Sequence, residues 1–198
     1  MDITEDQAKE ILSPYHHTLH NCIIEAWKSF HAKCYEIKHI FSSRTQASAI
    51  FDFIKSNVTQ TFHGNKKVSI SEKRGLFLVN FENKVVVRFK KLKNNKASCI
   101  PTRQTLDFFK QLELPGIPSP ERFIIGYQLN NIKTEIKNIS VVYPKSSNQN
   151  YWSYDLEPCV AQVIETPFIQ IPIEQEILPK EERIIIKEAT KKGVIQDE

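Results

Sequence analysis

The chain has 198 residues, a net charge of +4 and a pI of about 8.8, with 40% hydrophobic and 10% aromatic residues. That much apolar surface offsets chain entropy and excludes a disordered protein, and the length suits one substantial core. No apolar run reaches the 18 residues a spanning helix needs, and the acidic start MDITEDQAKE is unlike a signal peptide, so a cytosolic protein with no membrane partner is expected.

From 15 to 41 the apolar residues Leu19, Cys22, Ile23, Ala26, Trp27, Phe30, Cys34, Ile37 and Phe41 step by three and four, which predicts one long amphipathic helix. A second helix follows, with Ser43 and Gln46 as a capping box and Ala47, Ile50, Phe51, Ile54, Val58 and Phe62 as its buried stripe. His63-Gly64-Asn65 ends it.

The period then changes. Segments 68–70, 76–81 and 85–92 are rich in β-branched and aromatic residues and predict strands, with Glu82-Asn83 as a tight turn. A helix is expected over 102–112 behind Pro101, and further strands over 122–129, 137–143 and 151–156. The order predicts an α+β fold: N-terminal helices packed on a mostly antiparallel sheet with one inserted helix. A single domain over 1–156 is expected, with helices at about 15–62 and the sheet and inserted helix at about 67–156. Beyond it, 157–198 is punctuated by Pro158, Pro167, Pro172 and Pro179 and predicts an extended C-terminal arm.

Several residue sets could carry chemistry. Arg88, Lys90, Lys91, Lys93 and Lys96 put five cations in nine residues, a composition suited to phosphate contacts on a nucleic acid. Strand alternation places Val85, Val87 and Phe89 on a core face, and Arg88 with Lys90 on the outward one; Lys91, Lys93 and Lys96 continue into the loop. The competing explanation is that these cations solvate a sheet face and protect an edge strand.

Gln104, Leu106 and Phe108 sit in a segment resembling peptides that dock into bacterial sliding clamps, which makes them candidate partner contacts. Asp107 falls where such peptides prefer a hydrophobe, and Leu106 and Phe109 equally suit a helix pinned to the sheet. His16 and His20 are one helical turn apart but lack a third ligand, and the cysteines Cys22, Cys34, Cys99 and Cys159 form no CxxC pair. No metal site and no cofactor is expected, and the thiols read as reduced and mostly buried. Trp152 and Tyr154 share one side of a strand, as core or as a base-stacking surface.

The order helix, three strands, helix, strand is that of the restriction-endonuclease-like core, which holds its metal with an acid on one strand and an acid-x-lysine triplet on the next. Lys90 stands where the lysine belongs, but Arg88 occupies the place of the acid and Glu82 lies at the turn. Glu82 and Lys90 are the catalytic candidates of that alternative.

The motifs RGLFLVNFENKVVVRFKKL, IPTRQTLDF, LPGIPSPERFIIGYQL and WSYDL resemble a family of small bacterial proteins over roughly 44–156. Its members look like partners of helix-turn-helix or metallopeptidase-type regulators in toxin–antitoxin and phage-defence loci. The resemblance implies an intracellular toxin-like or defence-associated effector that binds a macromolecular target and is restrained by a neutralising, antitoxin-like protein. It carries no catalytic residue. A non-toxic regulatory binding module is the remaining alternative, and the arm could serve as a partner's docking segment.

Overall fold

A computed structural model describes residues 3–73, 75–97, 103, 105, 108, 119–146 and 149–157. The chain divides into two units, Met1–Val160 and Ala161–Glu198, and the described residues all belong to the first. The predicted arm over 158–198 therefore lies outside them.

Three helices open the unit: α1 (Glu5–Leu12), α2 (His16–Lys33) and α3 (Ser43–Thr61). The acidic start is itself helical. Thr4 accepts from the Gln7 backbone and the Gln7 side chain accepts from Thr4, a reciprocal cap that satisfies two orphan donors. The long helix expected over 15–41 stops at Lys33. Cys34 leaves helical geometry, and Tyr35, Ile37 and Ile40 are exposed, so the apolar spacing continues past the helix without a surface to bury it. The cap of α3 is Ser42, one residue earlier than the capping box predicted, while Gln46 turns back to donate to the carbonyls of Lys38 and Phe41.

The strands are β1 (Val68–Lys73), β2 (Leu76–Phe81), β3 (Val85–Lys93), β4 (Lys96–Ala97), β5 (Glu121–Leu129), β6 (Ile136–Pro144) and β7 (Asn150–Asp155). They pair in the order β1-β2-β3-β5-β6-β7, with β4 folded back on β3. Every pairing is antiparallel except β3 with β5. The fold is therefore α+β with a mostly antiparallel sheet, as predicted.

The one parallel pairing decides what happens on the second face of the sheet. A parallel neighbour cannot be reached by a hairpin, so the chain must cross over a face between β3 and β5. Within that connection Arg103, Thr105 and Phe108 are helical, and Phe108 is buried. It joins Leu92, Ile124, Val142 and Leu78 in a small second core. The opposite face holds the main core, where Val79, Phe81, Val85, Val87, Phe123, Ile125 and Val141 pack against Leu12, Ile23, Phe30, Ile54 and Val58 of the helices. Each such side chain contributes about 1.5–3 kcal/mol by burial. Central β5 is buried from Phe123 to Tyr127, as a strand covered on both faces must be.

Candidate anion-binding site

The site begins with strand alternation. β3 continues to Lys93, so its two-residue period runs through the cationic cluster and divides it. Arg88 and Lys90 fall on the crossover face. Arg88 is only 9% exposed, with its guanidinium 4.8 Å from the Phe108 ring centroid, and Lys90 is half-buried. The outward, nucleic-acid-facing position predicted for Arg88 is thus corrected: the crossover required by the parallel pairing covers that face. Lys91 and Lys93 fall on the helix face at the edge of the main core, with Lys91 paired to the buried Tyr127.

There they meet two cations that are distant in sequence. A cavity of about 580 Å³ is lined by Arg44 and Ser43 from the first turn of α3, by Lys91 and Lys93, and by Lys133 with Gln128 and Asn131 from the β5–β6 end. Lys133 is set by a tight loop. Its backbone has φ 59°, its N–H donates to the Asn130 carbonyl, and the Asn130 side chain is tied to Thr134. Its ammonium donates to Ser43 Oγ at 3.2 Å.

The β3–β4 turn is equally defined. Asn94 and Asn95 take φ of 52° and 53°, the left-handed pair that a two-residue hairpin requires and that asparagine tolerates. The Asn95 N–H donates to Gln128 Oε1, and Asn138 donates to Asn95 Oδ1, which anchors the turn to β5 and β6. Lys93 and Lys96 are directly paired across it, so two like charges share one side of the hairpin. Such a pair is locally unfavourable by a few tenths of a kcal/mol.

Among the described residues no carboxylate lines the cavity, the first turn of α3 has no acid, and Arg44, Lys91, Lys93 and Lys133 form no ion pair. Burial, and then the neighbouring Lys133 ammonium, push Lys91 below the ordinary lysine value. The arrangement is a concave cationic surface held by rigid turns, able to take a compact anion by charge-assisted hydrogen bonds. Of the five cations singled out in the sequence, Lys91 and Lys93 line it and Lys96 stands beside Lys93. Arg44 and Lys133 were invisible to a local pattern, because only the fold brings residues 44, 91 and 133 together.

The other candidates land elsewhere. Glu82 lies at the opposite end of β3, in the β2–β3 turn. The Lys67 ammonium at 3.3 Å holds its carboxyl below the usual carboxylate range, aided by Lys84 at 3.6 Å, and Tyr15 donates to the same group at 3.5 Å. Strand rise places Glu82 and Lys90 roughly 15–20 Å apart, so the fold does not bring them into one site. Among the described residues no three His, Cys, Asp or Glu side chains converge as a metal site requires. His16 instead shares a hydrogen bond of 3.0 Å with Tyr154 Oη, and burial lowers its pKa.

The Cys22 thiol is buried beside Thr61, and burial pushes it up, away from the reactive range. Trp152 packs against Phe123 and Tyr143 and donates to the Ile3 carbonyl, while Tyr154 is buried; both are framework. Phe108 is buried between the crossover and the sheet, against Leu92, Ile124 and Val142, which takes it out of reach of a partner. Gln104 and Leu106 lie outside the described residues, as do Cys99 and Cys159. No described helix is long and apolar enough to cross a membrane. No family model, no curated protein and no solved structure matches the chain.

Proposed function

We propose that this protein binds a nucleic acid through the cationic cavity of Arg44, Lys91, Lys93 and Lys133, with Lys96 at its edge, and that it acts as an intracellular toxin-like or defence-associated effector restrained by a partner protein. The observation that carries the binding role is the convergence of four cations, from three separate parts of the chain, on one concave surface with no carboxylate among its described lining residues. A protein surface usually intersperses both signs of charge, and single-signed surfaces attract partners of the other sign. The effector context rests on the sequence resemblance over 44–156.

The test is expression of the full chain with growth followed, beside a Lys91→Glu/Lys93→Glu/Lys133→Glu variant that retains its thermal transition. Growth arrest with wild type and its relief in the variant supports the effector role at this surface. Arrest by both proteins removes the surface from the function. Normal growth with both, together with salt-sensitive oligonucleotide binding by wild type alone, favours the regulatory module.

A nuclease is the second reading, favoured by one observation: a three-strand meander followed by a helix-bearing crossover to a parallel strand. Its ligands are the difficulty, since β2 and β3 carry no carboxylate. Metal-dependent cleavage abolished by Glu82→Gln would establish it.

A further inference from the structure

We infer that the cavity receives the terminal phosphate of a nucleic-acid strand rather than a row of internal phosphates. This rests on the nucleic-acid reading above and specifies the part of the ligand that is recognised.

Contacts to internal phosphates of a duplex follow a convex, evenly charged backbone, and proteins meet it with cations spread along a track. Here Arg44, Lys91, Lys93 and Lys133 face one concave, half-open space of about 580 Å³. That is within the ordinary range of pockets for small-molecule ligands. A strand can enter such a space by its end.

An internal phosphodiester carries one negative charge, whereas a terminal phosphomonoester carries about −1.5 to −2 at neutral pH and presents three acceptor oxygens. Four cations with no acid among the described lining residues are best matched by the more highly charged group. Lys91 is half-buried and has the Lys133 ammonium as its charged neighbour. An incoming dianion relieves that repulsion more fully than a monoanion does.

At the rim, the Gln128 amide nitrogen and the Asn131 side chain lie beside the cations, the Gln128 Oε1 being held by the Asn95 N–H. Such groups suit the sugar or base edge of the first nucleotide, a polar surface that an inorganic ion does not have. The rigid turns at Asn94-Asn95 and Lys133 hold the cations in place before the ligand arrives, which reduces the ordering entropy of binding.

The test uses the purified full chain and a short single-stranded oligonucleotide of fixed sequence, with a 5′-phosphate or a 5′-hydroxyl and a fluorophore on the 3′ end. Anisotropy titration is expected to show the phosphorylated strand binding on the order of tenfold more tightly at pH 7.5, the equivalent of one additional charge-assisted hydrogen bond. The preference should shrink as pH falls through about 6, where the phosphomonoester gains its proton. Lys91→Gln and Lys133→Gln, checked for an unchanged melting temperature, should abolish the preference while weakening the hydroxyl strand much less.

Equal affinity for the two strands, with both weakened by the lysine variants, overturns the terminal-phosphate inference and leaves nucleic-acid binding at this surface intact. Failure of either strand to bind, or variants that bind as wild type, overturns both. Displacement of the oligonucleotide by adenosine monophosphate at equal concentration assigns the pocket to a free nucleotide and also overturns the inference.

Discussion

The two ends of β3 are built alike and charged oppositely in their consequences. Each end is turned by a pair of residues in the left-handed conformation, Glu82-Asn83 at one and Asn94-Asn95 at the other. At the first, Glu82 sits between Lys67 and Lys84, and Tyr15 and Phe62 pack on Phe81 beneath it. Charges there are matched and the core reaches the turn. At the second, Lys91 and Lys93 meet Lys133 and Arg44 with no acid among the described residues, at the edge of the main core. Identical backbone geometry thus serves closure of the fold at one end and presentation of charge at the other. A site is marked by what the structure leaves unneutralised, more than by how many cations the sequence carries.

Damage at each end of β3 should separate stability from binding. Phe81→Ala removes a fully buried ring at the closed end and should lower unfolding free energy by about 3–5 kcal/mol, seen as a fall in the urea midpoint. Oligonucleotide affinity of the remaining folded protein should be unchanged. Lys93→Glu at the open end should do the reverse. It relieves the Lys93–Lys96 repulsion, so stability should stay within about 0.5 kcal/mol of wild type or rise. The salt dependence of oligonucleotide binding should become shallower.

Gly126 links the open end to the sheet interior. A Cβ there would meet the Lys90 carbonyl and the Leu92 side chain at distances no packed structure keeps. Gly126→Ala should therefore cost about 1–3 kcal/mol by overpacking. Because the atoms displaced flank Lys91, it should also weaken oligonucleotide binding, an effect Phe81→Ala lacks. Next in size is the turn itself. Asn95→Ala loses both the Oδ1 that accepts from Asn138 and asparagine's tolerance of the left-handed region, at about 1–2 kcal/mol, whereas Asn95→Gly loses the same hydrogen bond but suits the backbone and should cost less. Asn83→Ala should cost a similar amount at the other end, with binding unaffected.

How much of this was legible in the sequence follows from which signals are local. The α2 and α3 stripes, the β2 and β3 alternation and the Glu82-Asn83 turn are short-range patterns, and the structure reproduces them. The helix end at Lys33 was hidden because Ile37 and Phe41 keep helical spacing after the backbone has left the helix. The burial of Arg88 was hidden for a different reason. Two-residue alternation says which residues share a face but not what covers it, and the cover comes from a parallel pairing between residues far apart in sequence. The cation cluster was legible as a composition and not as a site. The expected strand 85–92 already contains Lys91, and the strand in fact runs to Lys93, so alternation sends both lysines to the helix face beside Arg44 and Lys133 where a loop was expected.

The smallest effects are titrations, and they separate the two ends by pH. Glu82 has its folded pKa held below the ordinary value of 4.5, first by the Lys67 hydrogen bond and charge. Its stabilisation is present above that value and is lost as pH falls below it, because the unfolded chain then binds the proton more readily. His16, His20 and His31 are also lowered, chiefly by burial, from 6.5. They give an earlier loss of stability as pH falls through 6.5. The urea midpoint should therefore decline in two stages on acidification, with Glu82→Gln flattening the lower stage and His16→Gln the upper. The open end works in the other direction. Lys91 is lowered from 10.5, so the unfolded state holds its proton to higher pH than the folded state does. Stability should rise as pH climbs toward 10.5, and Lys91→Gln should remove that rise. An anion bound in the cavity should remove it as well, since the negative charge returns the Lys91 pKa toward its ordinary value. Proton uptake on oligonucleotide binding at alkaline pH below 10.5, absent in Lys91→Gln, would show that the charge repulsion stored at this end is what the ligand relieves.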